Sequence, residues 1–302
     1  LYFALTVLAT WPLALNLTDH VLGDARSDIW AHLWGYYRTE RDVLQEHTFP
    51  YHVDYINYPK GGELYHIDLL NSVAMLPLKA VLGQALGYNL LTWMHLTAAC
   101  VFMFLLMRRF VRHPPAAFLA GLIFAFNPLT LSFALASGVS ERLNATWFPL
   151  FFLFVLKVMD QGRKRDFVLA GLFLMLATVG CYKYGLFLLL LTLAFSVYLL
   201  VGPLVSRLRG SPWAGVGGDY GRLLLRRLAP LAVTCGLFVA PFGLLASASL
   251  SSSEALMQRT PRLFWDGQSV LHGNENIGLS VRDFFVPSAQ SLRVTAEMDV
   301  LY

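Results

Sequence analysis

Residues 87–107 read GYNLLTWMHLTAACVFMFLLM, and Arg108 and Arg109 follow directly. The run holds no Asp, Glu, Lys or Arg, and about 20 apolar residues in a helix cross the hydrocarbon of a bilayer. Working outward, runs of similar character occupy 1–17, 115–136, 145–159, 166–181, 185–204 and 228–248. A further apolar stretch, 66–86, is interrupted by Pro77 and Lys79 and reads as a re-entrant or interfacial helix. The sequence thus predicts an all-α polytopic membrane protein. A transmembrane bundle fills 1–248, and 249–302 begin an extracytoplasmic domain after the Ser-rich piece 249–253.

Composition agrees. Of 302 residues, 56% are hydrophobic and 14% charged, with a mean hydropathy of +0.54. Soluble domains carry roughly 25% charged residues, so lipid is the expected solvent. The chain begins at Leu1 without methionine and ends in polar sequence at Tyr302, which reads as a fragment whose first spanning helix is cut short. Cys100, Cys181 and Cys235 are far apart, without metal-ligand spacing, and read as small buried thiols.

The basic residues orient the bundle. Arg108, Arg109 and Arg112 follow one run, Arg163, Lys164 and Arg165 another, and Arg207, Arg209, Arg222, Arg226 and Arg227 lie between the last two. The alternate short loops hold only Arg142 and Lys183. Cytoplasmic loops are enriched in Lys and Arg, so the N-terminus is expected in the cytoplasm and the loop 18–65 outside. These arginines suit topology and anionic membrane lipid; no nucleic acid partner is expected. Gly215-Val216-Gly217-Gly218 opens no phosphate-binding loop.

The outer loop opens with Gly23-Asp24-Ala25-Arg26-Ser27-Asp28, and an amphipathic helix is expected from about Ser27 to Gln45. Ile29, Leu33, Tyr36, Tyr37 and Val43 form its apolar stripe, with Arg38, Glu40, Arg41 and Asp42 facing elsewhere. Trp30, Trp34 and the two tyrosines suit a helix at headgroup level. Asp24 is either a helix cap or a partly desolvated general base, since ionisable groups near membrane depth are costly. Asp24, Asp28 and His32 recur every four residues; this row is either a solvated polar face or a ligand set for a divalent metal. Glu141, Arg142 and Lys183 belong to the same predicted side, with Lys183 either facing a phosphate or snorkelling to headgroups. His52, Tyr58 and His66 are further candidate substrate contacts. Asn16 and Asn144 open Asn-x-Thr triplets that look like glycosylation acceptors close to the membrane. Polar residues inside the spans are sparse: Asn89, His95 and Asn127, the last beside Pro128 at an expected helix break.

Three pieces carry a resemblance: residues 23–28, Asn57-Tyr58-Pro59-Lys60-Gly61-Gly62, and Gly138-Val139-Ser140-Glu141-Arg142-Leu143-Asn144 before Trp147-Phe148-Pro149. With the pattern of spans over 1–248, they resemble the GT-C superfamily of membrane glycosyltransferases, which includes oligosaccharyl transferases, protein mannosyltransferases and aminoarabinose transferases. The likeness is to bacterial members. It implies a polyprenyl-phosphate-linked sugar donor, inverting transfer to a glycan, lipid or protein acceptor, and a site on the extracytoplasmic face of the inner membrane. Asp24 and Asp28 take the catalytic places, and Glu141, Arg142, Lys183, His32, His52, Tyr58 and His66 line the substrate. Many members open this loop with adjacent acids; here Ala25 follows Asp24 and the second acid is Asp28. The competing expectation is a membrane protein that moves a lipid or glycan without covalent chemistry.

Overall fold

The computed structural model describes residues 1–50, 52–53, 62–63, 68–208, 225–244 and 300–301. Nine α-helices run along them: α1 Tyr2–Ala9, α2 Ile29–Glu40, α3 Leu69–Leu82, α4 Gln84–Met107, α5 Pro114–Ala125, α6 Phe148–Asp160, α7 Lys164–Gly180, α8 Tyr182–Leu208 and α9 Leu225–Leu244. Two-residue strands β1 Val21–Leu22 and β4 Val300–Leu301 pair antiparallel, as do β2 His52–Val53 and β3 Gly62–Glu63.

Among the described residues four helical stretches are long and apolar enough to cross a membrane: α4, Ser140–Asp160, the first part of α8, and α9. A fifth is made if α5 and the turn Thr130–Ala136, bent by 54°, count as one span. α4 is 24 residues long, about 36 Å, against a hydrocarbon core of about 30 Å. Only 11% of the apolar stretch of α9 is buried, and Leu186, Phe187, Leu190 and Leu193 of α8 are exposed. So much uncovered apolar surface belongs in lipid. This is a membrane protein.

The first run is interrupted within 1–17. α1 holds eight residues, about 12 Å, and ends before Pro12, whose ring supplies no N–H and disfavours helix in the residue before it. It lies along α4 and α5 with Phe3 and Leu8 exposed: the Tyr2 hydroxyl donates to Phe118 O (3.0 Å) and the Trp93 indole N–H to Thr10 Oγ1 (2.8 Å). The break after α5 falls at Asn127-Pro128, as expected. There Asn127 Oδ1 accepts the Thr130 N–H (3.0 Å) and restores a capping bond.

α4 is the central element, in contact with α1, α3, α5, α6 and the 3₁₀ turn Ser140–Trp147 that leads into α6. The expected interfacial stretch is α3, a 14-residue apolar helix folded back against α4 after Gly83. Described members of the basic clusters gather at one end. Arg109, just past α4, pairs with Asp160 at the end of α6. The Arg227 guanidinium lies on the backbone of Gly162. Since α7 begins at that end and runs away from it, Lys183 and the acidic loop lie at the other. Cys100, Cys181 and Cys235 are buried free thiols.

Candidate functional site

Asn89 of α4 ties down the acidic loop: its Nδ2 donates to Leu17 O (3.0 Å) and His20 O (2.6 Å), and its Oδ1 accepts the Leu22 N–H (3.3 Å). Beyond β1 the chain turns at Asp24, whose Oδ1 accepts the Arg26 N–H (2.9 Å). Asp24 is partly exposed, 3.5 Å from the exposed Arg26 guanidinium, a surface pair that contributes little. α2 starts only after Asp28, which stands exposed at the N-cap position without a side-chain capping bond. Asp24 is therefore a turn residue, and the four-residue row reduces to Asp28 and His32. His32 is buried, and its Nδ1 has no hydrogen-bond partner. Burial lowers its pKa to about 4, with Asp28 opposing and Arg142 adding to the shift, so the ring is neutral at pH 7.

The helix α2 buries Ile29, His32, Leu33, Gly35, Tyr36, Arg38 and Thr39. Trp30 and Tyr37 are exposed, whereas Arg38 and Asp42, expected on the outer face, are buried against each other (Nε to Oδ2, 2.7 Å). Ile29 packs on Gly138, and Ser27 Oγ lies 2.8 Å from Ser137 O, within donating distance. Two motifs over a hundred residues apart thereby fold against each other. Gly138 has φ +63°, and a Cβ there would lie 2.4 Å from Ile29 Cδ1. Gly138→Ala is accordingly expected to cost roughly 2 kcal/mol through strain and overpacking, read as a lowered thermal midpoint in detergent.

Arg142 and Glu141 follow on the 3₁₀ turn. Arg142 Nε makes no hydrogen bond and sits 3.7 Å from Glu141 Oε1, while Arg142 O accepts the Tyr184 hydroxyl (3.2 Å). Arg142, with His95, Asn127, Thr130 and Thr146, lines a cavity of about 40 Å³. At roughly 10–15 Å³ per water it has room for about three waters and none for a sugar. Lys183 is exposed, its ammonium 5.6 Å from the Tyr182 ring centroid.

No protein-family model and no curated protein matches this chain. Its reading rests on its own geometry.

That geometry includes a buried network with no counterpart among the sequence candidates. Asp68, at the start of α3, is fully buried and left-handed (φ 59°, ψ 52°), a conformation that short polar residues tolerate at some cost. Asp68 Oδ2 accepts from Ser140 Oγ (2.6 Å), Asn71 Nδ2 (2.9 Å) and Tyr36 Oη (3.1 Å), and Oδ1 from Asn144 Nδ2 (2.8 Å). Asn71 Oδ1 is 2.8 Å from His95 Nε2, which must donate because the amide nitrogen already serves Asp68. Burial raises the Asp68 pKa to about 6 against these four donors. Asn144 is fully buried with its Nδ2 committed to Asp68, so its Asn-x-Thr triplet is a structural element and not a glycosylation site. The signal available in sequence was a lone acid opening an apolar helix, a costly placement.

His52 lies in β2, and its side chain, like all of Tyr58 and His66, is outside the described residues. The same holds for 54–61, which include most of the Asn57–Gly62 motif. Among the described residues no three His, Cys, Asp or Glu side chains gather into a metal-holding group.

Proposed function

We propose that this chain is an integral membrane glycosyltransferase of GT-C type, using a polyprenyl-phosphate-linked sugar and inverting the anomeric centre. What supports the reading is the docking of the 23–28 loop on the 137–144 segment, which gathers Asp28, His32, Glu141 and Arg142 at the end of the bundle away from the basic clusters. Positive-inside bias then makes the basic end cytoplasmic, in a bacterial inner membrane, with the site on the extracytoplasmic face.

In this mechanism Asp24, partly solvated, takes the proton of an acceptor hydroxyl as it attacks the anomeric carbon. Asp28 orients that hydroxyl. The lipid phosphate leaves with the bond electrons, and Arg142 or Lys183 balances its charge. The sugar sits outside the small cavity, because that space admits only water. Asp24→Asn in membranes supplied with a lipid-linked sugar is expected to slow transfer about a hundredfold. Transfer at the wild-type rate would remove Asp24 from the mechanism.

A second reading has its own support, since His95 of α4 and Asn127 at the break after α5 line one cavity with Arg142. A transporter of lipid or glycan would use such a path. Saturable flux into proteoliposomes without a sugar-transfer product would favour it.

A further inference from the structure

Trp30 is 51% exposed, yet its ring is tethered. The indole N–H donates at 2.8 Å to Ala25 O, the carbonyl of the residue after Asp24. The turn beneath it is closed by its own bonds. The Arg26 N–H reaches Asp24 Oδ1 (2.9 Å) and the Ser27 N–H reaches Asp24 O (3.0 Å). The Ser27 hydroxyl lies 2.7 Å from Asp24 O and 2.8 Å from Ser137 O. Trp30 thus stands on a braced turn, fixed relative to Asp24. Among the described residues no other ring packs on the indole, and Asp24 Oδ2 has no protein partner.

Two features separate this ring from a membrane anchor. An interfacial tryptophan keeps its body at the acyl boundary and its N–H for headgroups and water. Here the N–H is taken by the protein, and the uncovered part is the apolar ring. The turn that carries it is also charged: Arg26 and Asp28 are exposed and Asp24 partly so. A fixed, unstacked aromatic surface beside carboxylates and a guanidinium matches the two sides of a pyranose. One face of such a sugar is a patch of C–H bonds, weakly positive and drawn to the negative face of an indole. Its edge carries hydroxyls, which both donate to carboxylates and accept from a guanidinium.

We propose that Trp30 is a stacking platform for a sugar ring, and that the acceptor of the proposed transfer is accordingly a glycan or glycolipid. The sugar lies against the indole with a hydroxyl directed at Asp24 Oδ2. A serine side chain or a simple alcohol offers the hydroxyl but no C–H face for the ring. The acceptor assignment rests on the transfer reading above; the sugar subsite stands on its own geometry.

The test uses the full chain in phosphatidylcholine vesicles, labelled with fluorotryptophan. Fluorine NMR then gives a signal for each of the seven tryptophans, and Trp30→Phe assigns that of Trp30. Methyl β-D-glucopyranoside and methyl α-D-mannopyranoside are titrated separately. At least one is expected to shift the Trp30 signal saturably, with a Kd on the order of 10 mM. Glycerol, with hydroxyls but no ring face, is expected to leave it in place. Lipid with brominated chains, which quenches on contact, is expected to leave unchanged the fluorescence difference between wild type and Trp30→Phe. No saturable shift with either sugar, an equal shift with glycerol, or quenching by brominated chains would overturn the subsite, the last by assigning Trp30 to lipid. With the same glycosides as acceptors, Trp30→Ala is expected to raise the acceptor KM about tenfold at little-changed kcat. Trp30 lies outside the buried core, so this variant is expected to keep the fold. Binding at Trp30 without any transfer by the wild type would remove the acceptor role and leave the subsite standing. Transfer with KM unmoved in Trp30→Ala would overturn the platform.

Discussion

Arg142→Ala is expected to reduce the proposed sugar transfer about a hundredfold to a thousandfold, mainly in kcat. The guanidinium stands at the junction of three features. Its Nε is buried without a hydrogen bond, its charge reaches the buried ring of His32, and its side chain keeps 29% of its surface exposed beside the water-sized cavity. A cation held in place by Tyr184 at its own carbonyl, with only a 3.7 Å approach to Glu141, retains donors for an incoming anion. In the proposed transfer charge develops on the phosphate as the glycosidic bond breaks, so the interaction is strongest in the transition state and its loss appears in kcat. Arg142→Lys keeps the charge but loses the fork of donors, and is expected to recover only part of the rate. Steady-state kinetics on vesicles with a lipid-linked sugar separate the alternatives. A rise in KM at unchanged kcat would confine Arg142 to ground-state binding, and unchanged kinetics would remove it from the site.

The sequence announced most of the bundle because lipid imposes a demand that local composition alone can meet. Runs such as 87–107 must be helical and apolar throughout, so their positions are visible without knowledge of their neighbours. In the first run a local rule interrupts the helix: Pro12 follows the end of α1, and Thr10 and Tyr2 find partners in α4 and α5. Along α2 the periodicity located the helix but misassigned Arg38 and Asp42, which are buried because they satisfy each other. The Asp68 network was invisible for a different reason. Its members Tyr36, Asn71, His95, Ser140 and Asn144 are ordinary residue types drawn from four segments, brought together only by the return of α3 against α4. Asn144 even carried a competing surface meaning, an Asn-x-Thr triplet that the fold buries.

The same network yields the largest expected effect on stability. Asn144→Asp sets a second carboxyl 2.8 Å from Asp68 Oδ1, where the amide now donates. Two carboxylates at that distance in a buried site cannot both ionise, so the pair holds at least one proton through neutral pH. There is little space for relaxation: a Cβ on Gly180 would already lie 2.0 Å from Asn144 Cγ, so the new side chain is pinned against α7. The sign follows from proton counting. Asp68 alone has a folded pKa of about 6, above its ordinary 3.8, so the native state binds more protons than the unfolded chain between those values and loses stability as pH rises through them. The added acid raises the native pair further and extends the loss upward through neutrality. At pH 7 Asn144→Asp is expected to cost on the order of 3–5 kcal/mol, much of it restored below about pH 5, whereas Asn144→Ala loses one donor and some packing, roughly 2–3 kcal/mol, without a new titration. Thermal unfolding of both variants in detergent across that range checks the claim. A pH response in Asn144→Asp no steeper than in Asn144→Ala would mean that the two carboxyls do not share the buried site, and would remove Asp68 from the centre of the network.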